Sequence, residues 1–290
     1  MNFIENALGY KHQWWRYLLN LVLCLIFANI LALVGFIACM ICGISMNDMI
    51  SIVNSQNGYY VLTTFALMTL AFYLSFKCTH RGKLSLLIKG DQPFSLKSFI
   101  TVFGITAVVL AIITAVEMVI QGNYHFALQA KDLPLLLILF PLVALQTLLE
   151  EMVFRAYIPQ GLSLFIKNKW VCVVVAAFLF AALHAINQPV KEGGSIFLIT
   201  YFVIGLALGF IALLDNGIEK AWAVHFANNL VAMFFIVDKK PELTGMPSLF
   251  QFNGIDAPNY WDIIGTSIVF IAIFACMYKL YKWNLTAVKE

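Results

Sequence analysis

Long apolar runs alternate with short polar ones along the chain, and about eight runs are long enough to cross roughly 30 Å of hydrocarbon. They fall near 17–45, 58–76, 98–120, 133–155, 170–187, 196–214, 221–238 and 261–281. The pattern predicts an all-α, polytopic membrane protein of about eight transmembrane helices, forming one integral membrane domain over 1–290. The fourth run is the least regular, because Pro134 and Pro141 punctuate its start and Pro159 follows it. It is expected to open as a short interfacial or re-entrant piece before the true span. There is no evident internal repeat and no low-complexity segment.

Basic residues orient the series. With the N-terminus inside, the cytoplasmic side holds Lys11, Arg16, Lys77, Arg81, Lys83, Lys89, Lys97, Lys167, Lys169, Lys220, Lys279, Lys282 and Lys289. The other side holds Lys131, Lys191, Lys239 and Lys240. Thirteen against four, with Arg155 set aside, is a clear positive-inside bias, so both termini are expected in the cytoplasm. Trp14, Trp15, Tyr17, Trp170, Tyr260, Trp261 and Trp283 stand at span ends, as an aromatic belt would.

Composition agrees. The chain is 62% hydrophobic and 11% charged, with mean hydropathy +0.87, against about 25% charged residues in soluble domains. A soluble protein is excluded, and a net charge of +3 gives no reason to expect a nucleic-acid partner. The first apolar run is too long for a signal peptide and lacks a small-residue cleavage site, so no cleaved leader is expected. Cys24, Cys39, Cys42, Cys78, Cys172 and Cys276 lie almost entirely in apolar runs and read as small buried hydrophobes. The Cys39-x-x-Cys42 pair has no second pair to complete a metal site.

Four places break the apolar pattern: Glu150-Glu151-x-x-x-Arg155, His184, His225 with Asn228 and Asn229, and Glu117. Each ionisable side chain at bilayer depth costs about 2.5–3.5 kcal/mol on insertion scales, so the cluster of three is a functional-site hypothesis. Glu151 and Arg155 are four apart and share a helix face, which allows them to pair. Glu150 points about 100° away, toward the face of Phe154, and is free for chemistry. Spans four and five form a hairpin turning near Asn168. Glu151 stands 17 residues before that point and His184 16 after it, so the two are expected at one depth. His225 and Asn229 project from one side of the seventh span. His225 is only five residues beyond Lys220, about 8 Å, and matches that depth only if the hairpin protrudes well beyond the bilayer.

Plain structural readings stand beside these. Glu151 and Arg155 also read as a structural buried pair, and His184 as an interhelical hydrogen-bonder. Asn228 reads as structural and Glu117 as solvated near an interface. Gly205-x-x-x-Gly209 reads as a close helix-packing surface.

The residues resemble a known family. Glu150-Glu151-Met-Val-Phe154-Arg155 resembles the EExxxR motif of the CAAX protease and bacteriocin-processing (CPBP, ABI) family, which is related to the type II CAAX prenyl endopeptidase. Phe180-Ala-Ala-Leu-His184 resembles its FxxxH motif, and His225-Phe-Ala-Asn-Asn229 its HxxxN motif. The resemblance spans about 133–235, taken as the catalytic core; Ala156 departs from it where many members carry glycine. It implies an eight-span intramembrane endopeptidase in which Glu150 and His184 activate water, and His225 and Asn229 form the oxyanion hole. Glu151, Arg155 and Phe180 support the site.

Family names say metalloprotease, and zinc on Glu150, His184 and His225 is conceivable, yet the chain has no H-E-x-x-H and the chemistry is drawable without a cofactor. The expected partners are the bilayer and a membrane-associated protein or peptide, prenylated or not. A bacterial plasma membrane, with peptide maturation or bacteriocin immunity as the task, fits better than a eukaryotic reticulum. A proton-coupled transporter using the same Glu and His residues, or a non-catalytic membrane scaffold, are the competing functions.

Overall fold

The apolar runs become helices whose ends follow the polar punctuation. The computed structural model describes residues 4, 9–89, 92–122, 124–235, 245–252 and 260–284. Helix α1 (Trp14–Ile41) stops short of the predicted limit at 45. Gly43 turns the chain at a φ of 82°, and Ser45 opens α2 (Met46–Ser55) through a capping box with Asp48. Helices α3 (Asn57–His80), α4 (Leu84–Lys89) and α5 (Leu96–Gln121) follow, then strand β1 (Tyr124–Phe126).

Helix α6 (Leu133–Glu151) corrects one expectation. Pro134 sits in its first turn, where a missing N–H is harmless, and the helix runs through Pro141 with no re-entrant piece. The irregularity lies at the other end. Met152–Tyr157 form a π-helical turn, in which the Ile158 N–H reaches back to the Val153 carbonyl, before α7 (Ile158–Leu162). Pro159 has no N–H to offer the Arg155 carbonyl, so the α-helical ladder is interrupted here.

Beyond the hairpin come α8 (Lys169–Leu183), α9 (Gln188–Gly193), α10 (Leu198–Leu214) and α11 (Glu219–Phe235). Strand β2 (Phe250–Phe252) pairs antiparallel with β1, and α12 (Tyr260–Leu280) completes the bundle. Among the described residues, seven helical segments are long and apolar enough to span a membrane. The remaining predicted span, the seventh, is α11, described over 17 residues. Its predicted end at 236–238, with Lys239, Lys240 and Lys289, lies outside the described residues.

The helices differ in what they bury. Helix α1 turns Leu18, Val22, Leu25 and Leu33 outward, as a lipid-facing surface does. Helix α11 is enclosed by α5, α6 and α10, with Val224, His225 and Ala227 buried. Close approach of α8 and α10 bears out the packing role of the glycine pair. A Cβ on Gly205 would meet that of Ala177 at 3.1 Å, and one on Gly209 would meet Val173 Cγ1 at 2.6 Å.

Helix α4 sets a common level for the site helices. Gln160 Nε2 donates to the Leu87 carbonyl (3.2 Å), and the Ile218 N–H donates to that of Ile88 (3.0 Å). Glu151 is nine residues from Gln160 and His225 seven from Ile218, so their depths agree. The expected protrusion of the hairpin is not needed. Leu162 and Ile166 fold back onto Cys172, Val173 and Leu213, so residues beyond α7 add little depth.

Candidate functional site

Helix α6 delivers Glu150 and Glu151 on adjacent faces, and the π-helical turn delivers Arg155. The expected pair forms, with Arg155 Nη1 3.3 Å from Glu151 Oε1 and both side chains buried. The guanidinium also lies over the Phe180 ring at 4.1 Å. Arg155 Nε, Nη1 and Nη2 and Glu151 Oε2 are all buried without a hydrogen-bond partner. Attraction across this pair is therefore mainly of charge, and buried polar atoms left in this state are costly.

His225 joins the two glutamates. Its Nδ1–H donates to Glu151 Oε1 at 2.7 Å, while its Nε2 stands 3.6 Å from Glu150 Oε2. Glu151 thus does more than hold Arg155: it fixes the ring orientation of His225. A singly protonated ring keeps its proton on Nδ1 and presents Nε2 as an acceptor. A doubly protonated ring donates through both nitrogens.

His184 occupies the C-terminal end of α8, where the helix gives way to a 3₁₀ turn, and is half-buried. Its Nδ1–H donates to the Phe180 carbonyl (2.7 Å), which leaves Nε2 for other partners. The ring stacks on Tyr201 (centroids 4.3 Å apart, planes at 26°) and tilts against Phe180 at 4.4 Å. Glu150, His225 and Arg155 all act on it electrostatically, and among the described residues no hydrogen bond or ion pair joins His184 to Glu150. Phe180 also packs on Phe154 at 5.3 Å and so sits among Arg155, His184 and the π-helical turn.

Asn229 is brought to the same cluster by a residue that the sequence reading passed over. Gln146 Nε2 donates to Glu150 Oε1 (2.6 Å), and Asn229 Nδ2 donates to Gln146 Oε1 (3.0 Å). Asn228, read as structural, donates through Nδ2 to Asn229 Oδ1 at 3.1 Å. The signal for Gln146 was present: it is polar in an apolar run, one helical turn before Glu150. Tyr201, whose hydroxyl accepts from Asn187 Nδ2 (3.2 Å), carried no such signal. Glu117 is exposed on α5 and takes no part in these contacts.

The three side chains considered as zinc ligands do not make a ligand set. Among the described residues no three His, Cys, Asp or Glu side chains converge as a metal site requires. His225 and Glu150 approach each other, no ion pair joins His184 to either among the described residues, and each histidine has Nδ1 engaged and Nε2 open. What the cluster offers is a carboxylate with one hydrogen-bonded oxygen, two imidazoles and a primary amide, gathered from α6, α8 and α11.

Known proteins resemble part of this chain. Residues 132–231 match the sequence model of the family described as Rce1-like, type II CAAX prenyl endopeptidase Rce1-like. The match contains all three motifs. The uncharacterized protein YyaK of Bacillus subtilis (strain 168) is 29% identical over 142 residues, covering 49% of this chain and 48% of YyaK. The chain thus spans about half the length of the curated relative it matches. No solved structure matches the chain. With its glutamate pair, its two histidines and its asparagine, the stretch 132–231 of this chain is similar to the Rce1-like family.

Proposed function

We propose that the chain is an intramembrane endopeptidase that hydrolyses a peptide bond of a membrane-associated protein or peptide. The observation that carries this reading is the meeting of Glu150, Glu151 and His225 from separate helices, with Asn229 tied to Glu150 through Gln146. Glu150 takes a proton from water as its oxygen attacks the carbonyl carbon, with His184 Nε2 accepting a hydrogen bond from the same water. The oxyanion that forms receives hydrogen bonds from Asn229 Nδ2 and from His225 through Nε2. Collapse breaks the C–N bond, and Glu150 returns the proton to the departing amine. Each step uses only the chain's own side chains, as glutamate-dependent hydrolysis without a metal.

Both termini lie in the cytoplasm in this reading, and the membrane is the bacterial plasma membrane. The family match makes a prenylated C-terminal CAAX sequence one substrate class to test, with secreted-peptide maturation or bacteriocin immunity as the other.

The test is comparative membrane proteomics of a deletion strain carrying the wild type, Glu150→Ala or His184→Ala. Cleavage products are expected with the wild type alone, while all three proteins insert equally. The reading fails if both purified variants cleave at the wild-type rate. A chelator series on purified protein, with metal analysis, is expected to leave the rate unchanged.

A further inference from the structure

The structure assigns a specific task to Gln146: we propose that it is a positioning residue, which holds one oxygen of Glu150 and sets the direction in which Asn229 offers its N–H. The inference rests on the peptidase reading above. Gln146 is buried at 6% exposure, within an apolar stretch where an amide needs partners. A purely structural glutamine in a membrane helix would satisfy itself on backbone carbonyls or on polar groups remote from any site. Here both ends of the amide go to site side chains, one on its own helix and one on α11.

The direction of each bond follows from the charge on Glu150. A carboxylate only accepts, so at 2.6 Å Gln146 must present its NH₂ to Glu150. Its carbonyl oxygen is then turned toward Asn229, which must answer with Nδ2 (3.0 Å). The Asn229 oxygen is turned away in turn, and Asn228 Nδ2 closes the chain by donating to it (3.1 Å). Reversing any one amide would set two acceptors or two donors face to face. The ionised state of the base thus dictates that Asn229 presents its donor, which is what an oxyanion needs. Gln146 also occupies Glu150 Oε1. The oxygen without a hydrogen bond from Gln146 is Oε2, the one 3.6 Å from His225 Nε2.

The experiment uses full-length purified protein in nanodiscs, with a quenched fluorescent peptide ending in a farnesylated CAAX sequence as the probe. Gln146→Met keeps volume and apolarity but loses both bonds. Gln146→Glu keeps an acceptor for Asn229 while opposing Glu150. Both are expected to lower kcat by about 10- to 100-fold, the scale of a hydrogen bond to a charged group, with KM within about twofold. The Glu150 carboxylate stretch, isolated as the infrared difference between wild type and Glu150→Ala, is expected to move in Gln146→Met. An unmoved band, or an unchanged kcat, overturns the proposal. A wild type no faster than Glu150→Ala on this probe and on membrane extracts removes the peptidase reading and the catalytic part of the proposal with it. The infrared band in that case still decides whether Gln146 holds Glu150.

Discussion

Two buried polar clusters flank the π-helical turn, and they close their hydrogen bonds in opposite ways. On one side, His80 and Gln160 run bonds out to backbone carbonyls, His80 Nδ1 to Lys11 (2.6 Å) and Gln160 Nε2 to Leu87 (3.2 Å), and the Tyr157 hydroxyl lies 3.2 Å from the Tyr17 carbonyl. His80 Nε2 meets the Tyr157 hydroxyl at 2.8 Å, and the Tyr10 hydroxyl donates to Gln160 Oε1 at 2.6 Å. Aromatic rings of Phe72, Phe76 and Tyr17 seal the rest. On the other side, Glu150, Glu151, Arg155, His225, Gln146 and Asn229 bond mainly to one another, and four of their buried atoms have no hydrogen-bond partner. A cluster anchored on carbonyls locks helices together. One built of side-chain contacts between helices, with donors and acceptors left over, keeps capacity for a reacting group.

The sharpest test of this contrast is Glu150→Ala, which is expected to remove about 10²- to 10⁴-fold of the cleavage rate with little change in thermal stability. A comparable loss of stability would place Glu150 with the structural cluster instead. Next is Arg155→Met, which leaves Glu151 buried without its cation. Stability is expected to fall by about 3–5 kcal/mol, read by denaturant unfolding in detergent, with His225 left as a partner for Glu151. Tyr157→Phe probes the other cluster. Depriving His80 Nε2 of its partner is expected to cost about 1–3 kcal/mol of stability while cleavage per folded molecule stays unchanged. The smallest effect is that of Asn228→Ala, which frees the Asn229 oxygen. It is expected to slow cleavage by about 2- to 10-fold at unchanged melting temperature, and a stability loss without a rate loss would make Asn228 structural after all.

A third group of buried charges sharpens the same distinction at the α4 end of the bundle. Glu219 Oε2 accepts from Lys89 Nζ (2.8 Å) and from the Ser95 N–H (2.7 Å), and Lys220 pairs with Asp215. These bonds tie the turn between α10 and α11 to the segment after α4. They fix the entry of the helix that carries His225. Lys89 and Lys220, orienting charges in the linear pattern, are in the fold the partners of buried acids.

Hydropathy alone marked the helices, because a bilayer-spanning helix must be apolar over a nearly fixed length whatever its neighbours are. The i,i+4 spacing alone paired Glu151 with Arg155, and the glycine pair alone marked a close packing face on α10, since both follow from local helix geometry. What the linear order could not supply was register between helices that are far apart in the chain. Loop counting misjudged the depth of His225, because Leu162 and Ile166 fold back on the bundle instead of extending it. The π-helical turn, the grip of Glu151 on His225 and the bridge through Gln146 all arise from packing, where a half-turn of one helix changes which side chains meet. The charged residues and their motifs were written in the sequence. Which glutamate holds which histidine was decided only by the fold.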